Sequence, residues 1–235
     1  MTERTGPTGR RERKKAATRQ KIADTALRLF LDQGYDAVGI RDVAAEADVA
    51  VTTVFAHFAS KEALVFEQDQ DFEQRLVHAV TDRAPHEPLV PALHREIRAL
   101  VHHCTADGAA PLWHMIDTSP ALRQYEEAMR LRHAESLATA IAADVAVTAD
   151  GVTTDDVTAD GATADDVTAD GVVAGAGPRH SSTACRTIAR FAIDAFTLAR
   201  EAADPDAALD EIFRMIEAAW NTAGAGGHPA TPKGR

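Results

Sequence analysis

The chain has 235 residues, of which 45% are apolar, and a formal net charge of -11 at pH 7. This is enough for one large or two small domains with a buried core. Its two cysteines, Cys104 and Cys185, are not in a CxxC pair, which argues against a disulfide framework or a zinc ribbon and favours a reduced cytosol. No apolar run approaches the roughly 18 residues of a membrane span. Since no apolar segment follows the basic N-terminus, we expect a cytoplasmic protein without a membrane partner.

The charge is unevenly distributed along the chain. Residues 1–21 contain eight basic and two acidic side chains, a net charge of +6, so that the remainder carries -17. A basic end on an acidic body is a common arrangement for a nucleic-acid contact, since the basic end neutralises phosphates while the body stays soluble. A disordered soluble tail is the alternative explanation of the same charge. We predict a disordered basic arm over residues 1–12.

Helical spacing of apolar residues begins directly after this arm. A stripe from Ala16 to Phe30 predicts a long first helix that ends at Gly34, the residue type preferred at a helix C-terminus. Two apolar segments follow at 40–47 and 50–57, separated by a tight turn. Each is long enough for only about two helical turns, which is too short for an isolated helix and requires packing on the first helix. A long helix followed by two short ones across a turn is the helix-turn-helix arrangement.

Further helices are predicted over the rest of the chain. Ser60 is placed to cap a helix that continues to Ala84, and Ser119-Pro120 and Asp204-Pro205 are typical openings of two later helices. Shorter apolar stripes mark helices at 93–101, 111–116 and 188–198. No segment shows sustained alternation of apolar and polar residues, so we expect an all-α fold. The Gly- and Pro-rich residues 224–235 are expected to be a flexible tail.

The stretch GYDAVGIRDVAAEADVAVTTVFAHFASKEAL, residues 34–64, resembles the DNA-binding domain of the TetR family of transcriptional regulators. The resemblance covers residues 13–66, and it implies an N-terminal helix-turn-helix three-helix domain over 13–59. A helical ligand-binding and dimerisation domain over 60–223 would follow. The residues that carry the resemblance are Phe30, Gly34, Tyr35, Ile40, Val43, Ala44, Ala47, Val49, Thr53, Phe55, His57, Phe58 and Lys61.

The resemblance implies that the helix beginning at Ala50 enters the major groove. Its small residues allow close approach, its Thr hydroxyls reach base edges or phosphates, and its methyl groups contact thymine. The predicted DNA contacts are Arg10, Arg11, Arg13, Lys14, Arg41, Ala50, Val51, Thr52, Thr53, Phe55, His57 and Lys61. Core positions rather than contacts are expected at Val43, Ala44, Ala47, Val49, Val54 and Phe58.

Four positions depart from the family pattern. Gly39 stands where Thr or Ser usually precedes the second helix, and Asp48 stands where the turn usually has Gly. Ala50 replaces a Ser at the start of the recognition helix, and Phe55 replaces a Tyr, so that neither can offer a hydroxyl to a phosphate. These departures affect individual contacts and leave the expected fold unchanged.

The second domain of the resembled family binds a ligand and forms homodimers through its last two helices. A twofold dimer implies a palindromic operator with recognition helices about one DNA turn apart. The segments EPLVPAL and IDTSPALRQYEEAMRLRHAESLATAIA are similar to the MftR-like subgroup, which implies an acyl-CoA-like ligand; a different ligand in an ordinary bundle core is the alternative. The candidate pocket residues are Phe72, Leu100, His103, Trp113, Met115, Tyr125 and Phe191. The candidate dimer-interface residues are Phe196, Phe213 and Trp220.

We therefore expect a homodimeric repressor that a small hydrophobic or acyl-CoA-like effector releases from its operator. The sequence does not distinguish it from an activator of the same fold. Because no nucleophile elbow, phosphate-binding glycine loop, HExxH or dinucleotide fingerprint occurs, we predict no enzyme and no cofactor. No metal site is predicted either, because no HxxxH or CxxC spacing occurs among the candidate ligands His94, His102, His103, Cys104 and His114.

Residues 147–171, VTADGVTTDDVTADGATADDVTADG, form an acidic repeat unlike the rest of the chain. Two copies imitate the first half of an EF-hand loop, which suggests a cation-responsive protein as an alternative function. However, the Glu expected at the twelfth loop position is Val167 in one copy and Gly177 in the other. A segment with so many aspartates and no large side chain cannot offset its ordering entropy, so we predict a disordered acidic insert over 144–180.

Overall fold

The structure is a computed structural model that describes residues 7–67, 69–84, 87–106, 108–151 and 180–225. Over these residues the chain forms helices and no strand, which confirms the predicted all-α fold. None of the described helices is long and apolar enough to span a membrane. The helices are α1 (Pro7–Gln33), α2 (Ile40–Glu46), α3 (Val51–His57), α4 (Glu62–Val65), α5 (Asp69–Thr81), α6 (Leu89–Cys104), α7 (Ala110–Thr118), α8 (Pro120–Gly151), α9 (Ser182–Glu201) and α10 (Pro205–Ala225).

The helices divide into two compact units. The described parts of Met1–Asp71 and Thr105–Met129 form the first unit, and those of Phe72–Cys104 and Arg130–Arg235 form the second. The first unit therefore contains α1 to α3 of the predicted DNA-binding domain together with α4, α7 and the beginning of α8, which lie beyond the predicted boundary at residue 59. This addition has a packing reason, because Ile116 of α7 is buried in the same apolar cluster as the helix-turn-helix residues.

The core of the first unit forms where α2 and α3 pack on one face of α1. Both short helices have seven residues, which is too few for stability in isolation, so burial of their apolar side chains holds them in place. Each fully buried aliphatic side chain contributes about 1.5–3 kcal/mol. The buried positions include Ile22, Ala26, Phe30, Val43, Ala44, Ala47, Val54 and Phe58. The core expected at α2 and α3 is therefore observed, with Val49 only partly buried.

Two helix ends in this unit require left-handed backbone. Gly34 has a φ of 91°, and its N–H donates to the Phe30 carbonyl (2.9 Å), which ends α1 at the residue expected from the sequence. Asp48 has a φ of 52° in the turn after α2, with its N–H donating to the Ala45 carbonyl (3.1 Å) and that of Val49 to the Ala44 carbonyl (2.9 Å). These two bonds form a Schellman motif, in which the left-handed residue is most often glycine.

Several boundaries differ from those expected. Helix α10 continues to Ala225, two residues into the predicted tail 224–235, and the rest of that tail lies outside the described residues. Helix α1 begins at Pro7, inside the stretch predicted as a disordered arm, because Arg and Lys favour helix and Pro suits its first position. The single helix expected from Ser60 to Ala84 is interrupted at Phe66 and Glu67, between α4 and α5. Helix α8 continues to Gly151, so the first residues assigned to the acidic insert are helical. The rest of the acidic repeat, from residue 152 onward, lies outside the described residues.

The second unit is organised around α6, α9 and α10, which pack against one another. The helix openings predicted at Ser119-Pro120 and Asp204-Pro205 are both observed. The Ser119 side chain caps α8 by accepting from the Leu122 N–H, and the Asp204 side chain caps α10 by accepting from the Ala207 N–H (3.1 Å). Arg83, after α5, makes a bidentate ion pair with Asp144 of α8 and also donates to the Val80 and Glu87 carbonyls. Asp144 is thus a structural residue rather than part of a loop.

Candidate nucleic-acid interface

Helix α3 presents one face to solvent and buries the other. Val54 is buried in the core, while Thr52 and Phe55 are exposed and Val51 and Thr53 are partly exposed. Phe55 is 54% exposed, which is unusual for a large aromatic side chain without a partner surface. The described structure thus places the predicted recognition residues on one accessible helix whose opposite side is fixed by packing.

The starts of α2 and α3 show the effect of the departures at Gly39 and Ala50. Neither residue provides a side-chain cap, and both have extended backbone. At α2, the carboxylate of Asp42 accepts a hydrogen bond from the Gly39 N–H (2.8 Å), which replaces part of the missing cap. Arg41 lies in the first turn of α2 with its side chain exposed, so its guanidinium is accessible to a phosphate or a guanine edge.

His57 ends α3, close to the positive charges of α1. Its ring is partly buried, and the Nδ1 atom has no hydrogen-bond partner among the residues that the structure describes. Burial lowers the pKa of His57, and the charges of Lys15 and Arg19 lower it further. The unbound structure therefore favours a neutral imidazole at the end of α3.

Lys61 precedes α4 and is already engaged within the protein. Its ammonium donates to the Tyr35 carbonyl and lies 4.0 Å from the centroid of the Tyr35 ring. Burial lowers the pKa of Lys61, whereas Asp36 and Glu62 oppose this shift. The Tyr35 hydroxyl donates to Glu62 (3.0 Å), and burial together with this carboxylate raises the pKa of the phenol. Lys61 therefore stabilises the fold through Tyr35. Because its side chain is also partly exposed, it stays a candidate phosphate contact.

The basic side chains predicted as an arm lie on the exposed N-terminal part of α1. All four predicted contacts there are exposed: Arg10, Arg11, Arg13 and Lys14. The sequence analysis did not predict a role for Arg19 or a proximity of Lys15 to His57, although both residues belong to the same basic run. In the structure both charges act on His57. The only signal in the sequence is their helical spacing of four residues, which places Lys15 and Arg19 on the same face of α1.

The candidate pocket residues are distributed over both units. In the first, Trp113 and Met115 pack on the core, and Tyr125 stacks with Phe66 at 5.4 Å between ring centroids. In the second, Leu100 is buried, and Phe72 is partly buried. His103 and Phe191 are exposed side chains, Phe191 by 47%, so that their assignment to a pocket interior is corrected.

Two of the three candidate dimer residues need a similar correction, whereas the assignment of Trp220 stays a prediction. Phe196 and Phe213 are buried inside the second unit, where Phe213 stacks on His94 at 4.5 Å between ring centroids. Trp220 is partly buried and stacks on His180 at 3.5 Å. Helical spacing alone did not distinguish core residues from exposed ones on the same helices. Leu198 and Met215 are the large apolar side chains that α9 and α10 expose, together with Phe191.

The sequence also matches known proteins. Residues 22–67 match the family described as bacterial regulatory proteins, tetR family. Over 159 residues the chain is 30% identical to the HTH-type transcriptional regulator TcmR of Streptomyces glaucescens, which covers 64% of this chain and 68% of TcmR. The chain belongs to the TetR family. It is also 41% identical over 80 residues to the repressor KstR of Mycolicibacterium smegmatis, covering 34% of this chain and 36% of KstR.

TetR-family proteins of known structure share the fold. The repressor AlkX from Dietzia aligns with a TM-score of 0.51 and 17% identity over 86% of this chain and 97% of AlkX. The multidrug binding protein EbrR, in a complex with malachite green, aligns with a TM-score of 0.51 and 18% identity over 86% and 96%. Its family membership makes the chain a DNA-binding transcriptional regulator. Because its homologues are regulators, the prediction that it is not an enzyme is confirmed.

Among the described residues of this TetR-family chain, no three His, Cys, Asp or Glu side chains are grouped to hold a metal ion. His94 and His102, considered as ligands from the sequence, lie instead beside Asp210 (3.3 Å) and Asp206 (3.1 Å). The EF-hand-like copies of the acidic repeat lie outside the described residues. Dimerisation and ligand response are typical of the family.

Proposed function

We propose that this regulator is a homodimeric repressor that binds a palindromic operator through α3 of each subunit. The observation that carries this proposal is the exposed face of α3, where Thr52 and Phe55 are accessible while Val54 is fixed in the core. A helix that is packed against the core on one side and carries small or apolar side chains on the other can approach base edges closely in the major groove. The repressor assignment draws on the similarity to the repressor KstR.

The proposed contacts have two roles. Residues 50–53 and Phe55 face the base edges, where methyl and aromatic groups contact thymine and the Thr hydroxyls form hydrogen bonds. The cationic side chains contact phosphates and position the helix without reading sequence. These proposed phosphate contacts are Arg10, Arg11, Arg13, Lys14, Arg41, His57 and Lys61.

The proposed dimer interface lies on the exposed side of α9 and α10. Leu198 and Met215 are more than half exposed, and Phe191 nearly so, although all three are large apolar side chains. A second copy of the chain is the occupant expected by family membership, and burying such side chains favours association. This interface replaces the one expected from Phe196 and Phe213.

The proposed effector is a small hydrophobic molecule, with an acyl-CoA-like ligand suggested by the similarity to the MftR-like subgroup. In the second unit, Phe72 stacks on His133 (5.2 Å) and meets Phe196 edge-on (5.0 Å between ring centroids). Aromatic side chains around a few polar groups are typical of sites for such ligands. Thermal-shift measurements with acyl-CoAs of several chain lengths test this proposal, and absence of stabilisation by all of them contradicts the acyl-CoA assignment.

The DNA-binding proposal is tested by nuclease protection of the DNA flanking the gene. We expect the purified protein to protect a palindrome with half-sites about one helical turn apart. Phe55→Ala is expected to weaken binding to that palindrome by about tenfold, since one apolar base contact is lost. Leu131→Ala is the matched control, because Leu131 is another exposed large apolar side chain, on α8. Equal effects of both variants, or no protected palindrome, would contradict the proposal.

Transcription from a promoter containing the palindrome distinguishes a repressor from an activator. Deletion of the regulator should raise transcription of the adjoining gene if it is a repressor. A fall in transcription on deletion would identify an activator that uses the same DNA-binding surface.

A further inference from the structure

Arg19 lies in the middle of α1 and contacts two segments that are distant in sequence. Its guanidinium donates to the carbonyl of His57, the last residue of α3, and to Glu67, which lies in the break between α4 and α5. We infer that Arg19 is a positioning residue that sets the orientation of the recognition helix and joins its end to the α4–α5 break. This inference rests on the proposed use of α3 in DNA binding.

The contact with α3 is made at the end of the helix, where carbonyl groups lack partners within the helix. Phe58 has extended backbone and ends α3, and the Arg19 guanidinium lies 4.2 Å from the centroid of its buried ring. A cation is favourable at this position because the C-terminal end of a helix carries a partial negative charge. The guanidinium therefore fixes the end of the recognition helix by a hydrogen bond, a helix-dipole interaction and a ring contact together.

The contact with the α4–α5 break uses the two remaining nitrogen atoms of the Arg19 guanidinium. The Nε atom donates to the Glu67 carboxylate (3.2 Å), and Nη2 donates to the Glu67 carbonyl (3.3 Å). The adjacent Phe66 leaves the helical conformation with φ -102° and ψ 46°. Because a guanidinium is planar and its donors have fixed directions, a displacement of Glu67 changes the geometry at His57 as well.

The other end of α4 is also attached to α1 and the turn after it. Lys61 donates to the Tyr35 carbonyl, and Tyr35 donates to Glu62. Helix α4 has only four residues, so fastening both ends leaves it little freedom to move independently of α1. Because Arg19 holds Glu67 and the end of α3 together, a displacement of Phe66 and Glu67 reaches α3 through Arg19.

A contribution to folding stability alone does not account for this arrangement. The Arg19 side chain is 34% exposed and that of Glu67 is 21% exposed, so solvent partly screens this ion pair, yet the same guanidinium also donates to carbonyls in two separate segments. Arg28 and Glu46 form a more exposed pair between α1 and α2 (2.6 Å), with both side chains 52% exposed, and neither contacts α3 in the hydrogen bonds of the described structure. This second pair provides matched controls on the same helix.

The test measures how strongly the full-length protein prefers the palindrome that it protects over a non-palindromic duplex of equal length. We expect Arg19→Gln to reduce this preference by at least about tenfold, since a misoriented helix loses base contacts before phosphate contacts. Arg28→Gln, which removes the same charge, should change affinity for both duplexes equally. Arg19→Lys should recover affinity for the non-palindromic duplex without recovering the preference, because an ammonium lacks the fixed fork.

Glu67→Gln with Glu46→Gln as its control keeps the inference testable if Arg19→Gln does not fold. We expect Glu67→Gln to lower the preference by about threefold or more and Glu46→Gln to leave it unchanged. Circular dichroism and thermal unfolding confirm that the compared variants are folded. The inference is overturned if Arg19→Gln and Glu67→Gln retain the wild-type preference, or if lysine restores it fully. If the wild-type protein itself shows no preference, the proposed function fails instead.

Discussion

Individual residues explain where this chain departs from the usual helix-turn-helix pattern while keeping its geometry. Asp48 occupies the left-handed position of the turn, where a side chain costs conformational energy that glycine avoids. Gly39 lacks a capping side chain, and Asp42 supplies the carboxylate for the Gly39 N–H instead. The sequence identified both departures. Only the structure shows that Asp42 compensates for the missing cap at Gly39, whereas the left-handed backbone of Asp48 is retained as strain.

We predict that Asp48→Gly stabilises the protein by about 0.5–1 kcal/mol, since it relieves the left-handed backbone at the Schellman position. Asp48→Ala should destabilise it by about 1 kcal/mol, because alanine has neither the freedom of glycine nor the local hydrogen bonding of aspartate. Urea unfolding monitored by circular dichroism measures both changes. Stabilisation by alanine as well would show that removal of the charge, and not the backbone conformation, is responsible.

We predict that operator affinity rises as the pH falls from about 7.5 to 6. In the free protein, burial and the neighbouring cations lower the pKa of His57, which favours the neutral ring. A bound phosphate raises that pKa, and DNA binding therefore takes up a proton, which acid favours. Folding has the opposite dependence, because the lowered pKa makes the unfolded chain the stronger proton acceptor below about pH 6.5.

Binding isotherms over this pH range measure the effect. His57→Gln should flatten the pH dependence, whereas His114→Gln, at an exposed position of α7, should leave it unchanged. An unchanged slope in His57→Gln would show that other groups take up the proton.

At the scale of the element, the helix boundaries follow from contacts made far along the chain. Periodicity predicted one helix from Ser60 to Ala84, because the apolar spacing continues across Phe66. The structure interrupts it where Arg19 binds both the carboxylate and the carbonyl of Glu67. Similarly, Asp144 is the first residue of the predicted acidic insert, but it is helical and paired with Arg83. Composition describes a segment on average and does not identify the one residue with a distant partner.

We predict that Asp144→Asn lowers the free energy of unfolding by about 1–3 kcal/mol, since it breaks a bidentate charge-assisted pair and leaves Arg83 without its carboxylate. Both side chains are mostly buried, which makes the loss larger than for a surface pair. Asp82→Asn, at the exposed residue beside Arg83, is the control and should have a small effect. Denaturant titration measures the difference, and equal effects would indicate a general charge contribution.

At the scale of the whole molecule, family membership and exposed apolar side chains point to an assembly of two chains. The sequence placed dimer contacts at the largest aromatic residues of α9 and α10. However, Phe196 and Phe213 are buried within the second unit, while the smaller aliphatic Leu198 and Met215 are exposed. A helix that packs inside its own protomer uses its bulkiest side chains there, so size alone does not identify an interface.

We predict that Leu198→Glu gives a folded monomer with at least about a tenfold loss of operator affinity, since one subunit makes only half of the palindromic contacts. Leu198 is 56% exposed, so the charge should not disturb the protomer core. Light scattering after size-exclusion chromatography measures the oligomeric state. Leu131→Glu, on α8, is the control and should remain dimeric. A Leu198→Glu protein that is still dimeric would place the interface elsewhere.

The sequence by itself determined the all-α class, the helix-turn-helix plan and the position of α3, the predicted recognition helix. These depend on local features, namely helical spacing, a glycine at the end of α1 and a motif within about fifty consecutive residues, so they can be read without knowing the packing. The same locality explains why the core positions Val43, Ala44 and Val54 were identified correctly.

The tertiary structure alone decided which residues act on one another across the chain. It joined Arg19 to His57 and Glu67 and placed Lys15 near His57. It also placed Phe196 and Phe213, the interface residues expected from the sequence, in the core of the second unit. Each of these facts depends on which face of a helix meets another helix. Periodicity shows that a face is apolar, but burial within a protomer and burial against a partner select the same kinds of side chain, and only the packing separates them.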